Sequence, residues 1–467
     1  MTYLMLIYAV LFPVLLGYFT INIFLQNKDD ASFPERIALG FCIGLMIITA
    51  EMFFVLPKLN ISYSVMSISI PLLPFIFLGL YITIKNKIFS LAVFNPISFV
   101  KEFADLSLLE KLFILLLLFR VFYVFSSEMI KPVAGVDAWG GYSMRANVYF
   151  LEKTSNVPAF PPTVRGQHNA LSQTWVFTCI NQWNDILSKI NFPLYYIALL
   201  IIFYCAVRRF KPRSIALLST YILGSLPFLV YHATLEYCDF MIGIYLFAGI
   251  AFMHLWFNNP HIRYLLLSLA FLFSLITIKS EGFLHLTIVF VVFALTIFSK
   301  KLDKATGINI IRNITIAGII IGAAYMYQKI FLVPNESLLF LPSPDFSRVP
   351  ALFSVFGDYI FIRDNWNIIW SLLLILLIFN FRKLKEMNSF SLLAIVVFEL
   401  FGFMTYYFTQ IDWVYNMLFY VTPAVRNILQ FMPVTMFLIA NLLTLEMPEY
   451  PLSESSLITN KSRADNK

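Results

Sequence analysis

Residues 238–257 read CDFMIGIYLFAGIAFMHLWF, twenty positions with one charged side chain, Asp239, near the start. As an α-helix this stretch rises about 30 Å, the thickness of a bilayer's hydrocarbon core. Thirteen stretches pass the same ruler: 2–26, 35–57, 63–84, 110–128, 190–207, 214–232, 238–257, 262–279, 282–299, 309–332, 366–381, 390–409 and 425–445. Tight connectors within 214–257 and 262–299 predict helical hairpins. Composition agrees. Over 467 residues, 60% are apolar and 13% charged, with a mean hydropathy of +0.80, against roughly 45–50% and ~25% in soluble proteins. So few charges cannot clothe a water-exposed surface, and disorder needs the opposite composition. The expected fold is an all-α polytopic membrane protein.

The net charge of +7 is scattered between apolar runs, unlike the clustered basic face of a nucleic-acid binder. Cys42, Cys179, Cys205 and Cys238 form no CxxC pair, which argues against a disulfide framework or zinc site. The first cation, Lys28, follows the first apolar run instead of preceding it. Residues 2–26 are therefore expected to stay as a helix and not to be removed as a signal peptide.

Cations fall on alternate connectors: Lys28 and Arg36; Lys85, Lys87, Lys101 and Lys111; Arg208, Arg209, Lys211 and Arg213; Arg263; Lys300, Lys301, Lys304 and Arg312; Arg382, Lys383 and Lys385; Lys461, Arg463 and Lys467. The positive-inside rule makes these cytoplasmic, with the N-terminus outside and the C-terminus inside. The opposite face then owns two long loops, 129–189 and 333–365, too long to be plain connectors. Aromatic residues in the first suggest short interfacial helices at 138–151 and 171–183. Residues 1–109 form a three-helix N-terminal segment, 110–446 the main membrane region, and 447–467 a polar tail expected to be disordered in the cytosol.

Scarce charges recur on that outer face. Asp137 lies in AGVDAW (134–139), Glu236 and Asp239 in HATLEYCD (232–239), and Lys279 and Glu281 in IKSEG (278–282). Arg348, Asp412 and Arg426 complete the set. Each has a structural alternative. Asp137 suits a helix N-cap, and Lys279 and Arg426 suit snorkelling cations at helix ends. Glu236 and Asp239, three apart, are expected on one helical face, as caps or cation partners. His168 reads as a hydrogen-bonding loop residue, and Arg120 and Glu51 as structural charges near span ends. Convergence on one face carries more weight than any single member. There is no Walker sequence, G-x-G-x-x-G turn or H-E-x-x-H motif. A lipid-linked donor, its phosphate met by Lys or Arg at the interface, suits such a chain better than a nucleotide.

The order Asp137-Ala-Trp with Tyr142 and Arg145-Ala, then Glu-Tyr-Cys-Asp239, Lys279-Ser-Glu281-Gly, and Asp412-Trp with Arg426 and Pro433 resembles the GT-C glycosyltransferases. These are polytopic enzymes similar to protein O-mannosyltransferases and lipid A aminoarabinose transferase. The resemblance covers roughly residues 110–445. It implies an enzyme of the plasma (inner) membrane that moves a sugar, with inversion, from a polyprenyl-phosphate donor to an envelope glycan, lipid or protein acceptor on the extracytoplasmic face. Asp137 matches the family's catalytic acid and would serve as general base. Lys279, Arg348 and Arg426 would hold the phosphate, with Glu236, Asp239, Glu281, Tyr142 and Arg145 lining the substrate. Ala138 stands where a second acid is often found, which puts a two-carboxylate or metal-chelating site in doubt; no cofactor is specified, and a divalent metal is compatible but not indicated. Two rivals remain, an oligosaccharide polymerase or ligase using polyprenyl-pyrophosphate glycans, and a transporter or flippase. Glu399 is the clearest charge inside a span, and the absence of an obvious internal repeat weighs against transport.

Overall fold

Helix α1 (Thr2–Phe24) and helix α2 (Phe33–Ala50) cross at glycines. A Cβ on Gly17 would overlap the Gly40 carbonyl, and one on Gly44 would overlap the Pro13 carbonyl. Gly40 and Gly44 form the G-x-x-x-G spacing that lets helix backbones touch where no hydrophobic effect drives association. Ser32 caps α2 by accepting from the Glu35 amide, and Pro34 opens its first turn. The buried Arg36 guanidinium fastens the intervening turn, donating to Asn22 Oδ1 at 2.6 Å and to the carbonyls of Leu25, Asn27 and Ala31.

This computed structural model describes residues 2–88, 103–158, 166–298, 344–408 and 415–443, with a few positions between 312 and 323. Beyond the first two, the helices are α3 (Val65–Lys85), α4 (Leu108–Ile130), α5 (Met144–Glu152), α6 (His168–Ile180), α7 (Asn191–Arg208), α8 (Arg213–Gly224), α9 (Pro227–Ala233), α10 (Cys238–Asn258), α11 (Ile262–Ile278), α12 (Gly282–Phe298), α13 (Val349–Gly357), α14 (Ile369–Phe379), α15 (Met387–Tyr407) and α16 (Val421–Leu442). No strand occurs among the described residues.

Among the described residues, seven helices are long and apolar enough to cross a bilayer: Thr2–Phe24, Phe33–Val55, Val65–Lys85, Leu187–Arg208, Cys238–Asn258, Asn388–Thr405 and Pro423–Leu442. The chain is thus all-helical and built for a membrane. Thirteen spans were expected. The one at 214–232 is two helices, α8 and α9, bent by 69°, where Gly224 ends one and Pro227 starts the other. Those at 262–279, 282–299 and 366–381 are shorter apolar helices. Most of 309–332 lies outside the described residues, as do 447–467 and the first part of the expected loop 333–365. The 262–299 hairpin forms, with Lys279-Ser280-Glu281 as its turn.

Region 129–189 departs most from expectation. Its second helix, α6, is buried along all thirteen residues and packs against α1, α2, α5 and α11. It is an internal helix, not an interfacial one. Polar side chains explain the difference, because each finds a partner inside. Asn169 donates to the Glu236 carbonyl at 2.8 Å, Trp175 to the Ala9 carbonyl at 2.9 Å, and Ser143 to Gln173 at 2.7 Å. His168 opens this helix, where a loop was expected. Its ring pairs with Thr49 at 2.7 Å and Tyr195 at 2.9 Å, and burial pushes the imidazole down to about 3. The N-terminal helices are therefore part of the wall around α6.

One end of the bundle gathers the cationic connectors. Arg209 grips both Glu35 oxygens at 2.7 Å, Arg213 pairs with Glu110 at 2.9 Å, and Lys211 donates to the carbonyls of Asn441 and Leu443. Helices α10 and α16 start at the other end, and there the remaining charges meet.

Candidate functional site

Asp137 stands just before the π-turn Ala138–Ser143 that leads into α5. Its carboxylate caps no backbone group of that turn. It accepts a 2.6 Å hydrogen bond from Arg426 Nη1, in the second turn of α16. The same nitrogen lies 3.9 Å from Asp239 Oδ2, in the first turn of α10. Asp239 Oδ1 accepts from Lys279 Nζ at 3.1 Å and Gln430 Nε2 at 2.6 Å. Lys279 reaches on to Glu281 at 2.7 Å. Five residues from four separate elements thus form one alternating cluster, Asp137–Arg426–Asp239–Lys279–Glu281. Three carboxylates face two cations.

A second arm enters from the bundle interior. Gln430 lies one helical turn beyond Arg426, on the same face of α16. Its Oε1 meets His285 Nε2 at 2.6 Å, and His285 Nδ1 meets Glu399 Oε2 at 2.9 Å. Since the Gln430 amide nitrogen is spent on Asp239, both ring nitrogens face acceptors, so the imidazole and the Glu399 carboxyl hold two protons between them. Neither side chain is exposed.

The walls tune these charges. Burial alone would lower the Lys279 ammonium, but Asp239 and Glu281 outweigh it and hold Lys279 well above the ordinary lysine value. The Arg426 guanidinium lies over the Tyr237 ring, 5.2 Å from its centroid. A Cβ on Gly135 would sit 2.7 Å from that ring, so only glycine lets the chain before Asp137 pass. Tyr142 packs its buried hydroxyl beside Cys238, and burial, with Cys238, Asp239 and Asp137 adding, raises it far above the usual phenol.

Glu236 does not join Asp239 on a helical face. Helix α10 begins at Cys238, and Tyr237 before it is extended, with φ −98° and ψ 141°. The two carboxylates consequently diverge. Glu236 turns to Lys189 Nζ at 3.4 Å, and Glu128 lies beside Glu236, 3.9 Å from the same ammonium. Lys189 also donates to the carbonyls of Glu128 and Lys131, both at 2.6 Å. Burial raises the Glu236 carboxyl, with Lys189 opposing.

Two expected substrate contacts are held by other partners. Arg348 pairs with Asp345 at 2.9 Å and stacks on Tyr415 at 4.2 Å. Arg145, buried on α5, donates to the Tyr149 hydroxyl at 3.5 Å, which in turn donates to Gln167. Asp412 lies outside the described residues. Sequence reasoning passed over Gln430, His285, Lys189, Glu128 and Tyr237. A histidine and a glutamine inside apolar runs are themselves a signal, since intramembrane polar groups are rarely idle. Nothing in the sequence sets Lys189 or Glu128 apart.

Arg426 is the member of the cluster with a free hydrogen-bonding position among the described residues. Arg426 is shared by two carboxylates, and its buried Nε has no hydrogen-bond partner among the described residues. An incoming phosphate could take this guanidinium bidentately and leave the Asp137 carboxylate for other work. Among the described residues, no group of three or more His, Cys, Asp or Glu is placed to hold a metal ion. Compared with known proteins, the chain matches no family model, no curated protein and no solved structure.

Proposed function

We propose that this chain transfers a sugar from a polyprenyl-phosphate donor to a hydroxyl of an envelope glycan, lipid or protein, on the extracytoplasmic side of the plasma membrane and with inversion. The observation that carries the reading is Arg426, held 2.6 Å from Asp137 with a second guanidinium nitrogen unpartnered. In the resting site the guanidinium occupies the Asp137 carboxylate. On donor binding, Arg426 and Lys279 take the phosphate, whose departure as an anion needs charge stabilisation more than protonation. Asp137 then accepts the proton of the acceptor hydroxyl as that oxygen attacks the anomeric carbon. A positioned base of this kind supplies about 10²–10⁴-fold.

The test is reconstitution of the purified chain in lipid vesicles with polyprenyl-phosphate sugars as donors. Release of free polyprenyl phosphate by the wild type, lost in Arg426→Gln, supports the reading. Absence of both donor binding and turnover across the donor panel overturns it.

A transporter is the second reading, favoured by the enclosed His285–Glu399 pair, since intramembrane ionisable pairs mark proton pathways. Proton uptake into the same vesicles, abolished by Glu399→Gln and independent of any lipid-linked sugar, would select it.

A further inference from the structure

Beside the charge cluster lies a cavity of about 380 Å³, within the range of small-molecule pockets. Its floor is the Glu128–Lys189–Glu236 triad, and Tyr123, Tyr231 and Lys131 border it. Glu128 and Glu236 are each about 1% exposed and lie side by side, yet Glu128 Oε1 and Glu236 Oε2 receive no N–H donor among the described residues. Two buried, unpartnered acceptors facing a cavity are costly unless something donates to them.

The chemistry of that donor follows by elimination. An anion is disfavoured, because the open positions belong to two glutamates already gathered on Lys189. A cation would enter between the ammonium of Lys189 and that of Lys131, which is already tied to Ser127 at 3.1 Å. A neutral ligand rich in O–H groups meets neither objection, and adjacent hydroxyls on one ring can reach two neighbouring carboxylates. Both tyrosine rings at the rim are about half exposed, which leaves apolar faces free to lie against the C–H face of such a ring. We infer that this cavity binds the polyhydroxylated ring of a neutral sugar, held through Glu128 and Glu236. Gly135 lines the cavity two residues before Asp137, and Tyr237 follows Glu236 beneath Arg426. A ring held here stands next to the carboxylate proposed as base. Its assignment as the acceptor, as distinct from a bound sugar, rests on the transferase reading.

The full chain in lipid nanodiscs is tested by saturation-transfer NMR with methyl glycosides of glucose, galactose, mannose and N-acetylglucosamine, with cyclohexylmethanol and ethylammonium as controls. At least one glycoside is expected to bind, and neither control. Thr234→Trp, at a half-buried lining position, fills the cavity and should abolish binding. Glu236→Gln should weaken it at least tenfold. Binding by no glycoside, binding that survives both cavity variants, or preference for ethylammonium overturns the inference. The two readings fail separately. Cavity-dependent glycoside binding without any sugar transfer would remove the transferase and keep the site. Sugar transfer unaffected by Thr234→Trp would remove the site and keep the transferase.

Discussion

Arg426 donates to Asp137 at 2.6 Å across 289 positions of sequence, joining the last described helix to the turn before α5.

Asp137→Asn keeps the shape and a hydrogen-bond acceptor for Arg426 but cannot take up a proton. Folding should survive, since both side chains are partly solvated and such pairs contribute little to stability. Sugar transfer should fall by about 10²–10⁴, with donor binding retained. Turnover within threefold of wild type would remove Asp137 from the mechanism.

Arg426→Lys preserves charge while discarding the fork that can hold Asp137 and phosphate together. Loss of one charge-assisted hydrogen bond is worth about 1.5–3 kcal/mol, so the donor KM should rise roughly 10–100-fold. An unchanged donor KM would demote Arg426 to a structural tie.

Lys189→Met strips the counter-charge from Glu128 and Glu236 and orphans two backbone carbonyls. The side chains of Lys189 and Glu128 are each 1% exposed and that of Glu236 2%, so the loss should be about 3–5 kcal/mol, read as a lowered midpoint in SDS-driven unfolding. Adding Glu236→Gln should restore part of it. No recovery would mean that the carbonyl contacts, and not the carboxylates, dominate.

The raised Glu236 carboxyl predicts a pH dependence of stability. Its folded-state pKa lies above the unfolded value because burial disfavours its charge and outweighs the opposing pull of Lys189 and of the Glu128 hydrogen bond. The native state therefore binds the proton more tightly. The contribution is present in full below the ordinary glutamate value of about 4.3 and declines as pH rises through the folded value. Wild type should lose stability over that interval, and Glu236→Gln should flatten the slope. A steeper slope in the variant would reverse the assignment.

Gly44→Ala places a methyl group into the Pro13 carbonyl. Separating α1 from α2 should cost about 1–3 kcal/mol, as overpacking does. The effect should extend to the far side of α6, because Ala9 and Thr49 both hold that helix. Hydrogen exchange at α6 amides as slow as in wild type would show the N-terminal pair to be uncoupled from it.

Seven of the thirteen expected spans were legible because a bilayer imposes length and apolarity residue by residue. Cys238–Asn258 needs only its own side chains to be recognised. The charge cluster was legible as a group, since Asp137, Asp239, Lys279, Glu281 and Arg426 lie at helix ends that the alternation of cations places together. Pairings between distant positions were not legible. Asp137 looked like a cap until its partner was found on α16, and Glu236 was assigned a face of a helix that starts two residues later. Arg348 was grouped by face alone, and its own neighbours Asp345 and Tyr415 claim it. Helix α6 was misread for the same reason. Its polar residues signal water unless one knows that Ala9 and Glu236 supply carbonyls to them.

Helix α6 has a consequence for biogenesis. Insertion machinery sorts segments by hydrophobicity, and HNALSQTWVFTCI is too short and too polar to partition into lipid unaided. Its partners straddle it in the order of synthesis. Ala9 and Thr49 emerge before it, and Tyr195 and Glu236 after it. The nascent chain must therefore hold this segment outside the hydrocarbon until α7 and the start of α10 have arrived, then close the bundle over it. A ribosome-stalled chain ending before residue 236 would still expose α6 to protease, and one extending past α11 would shield it.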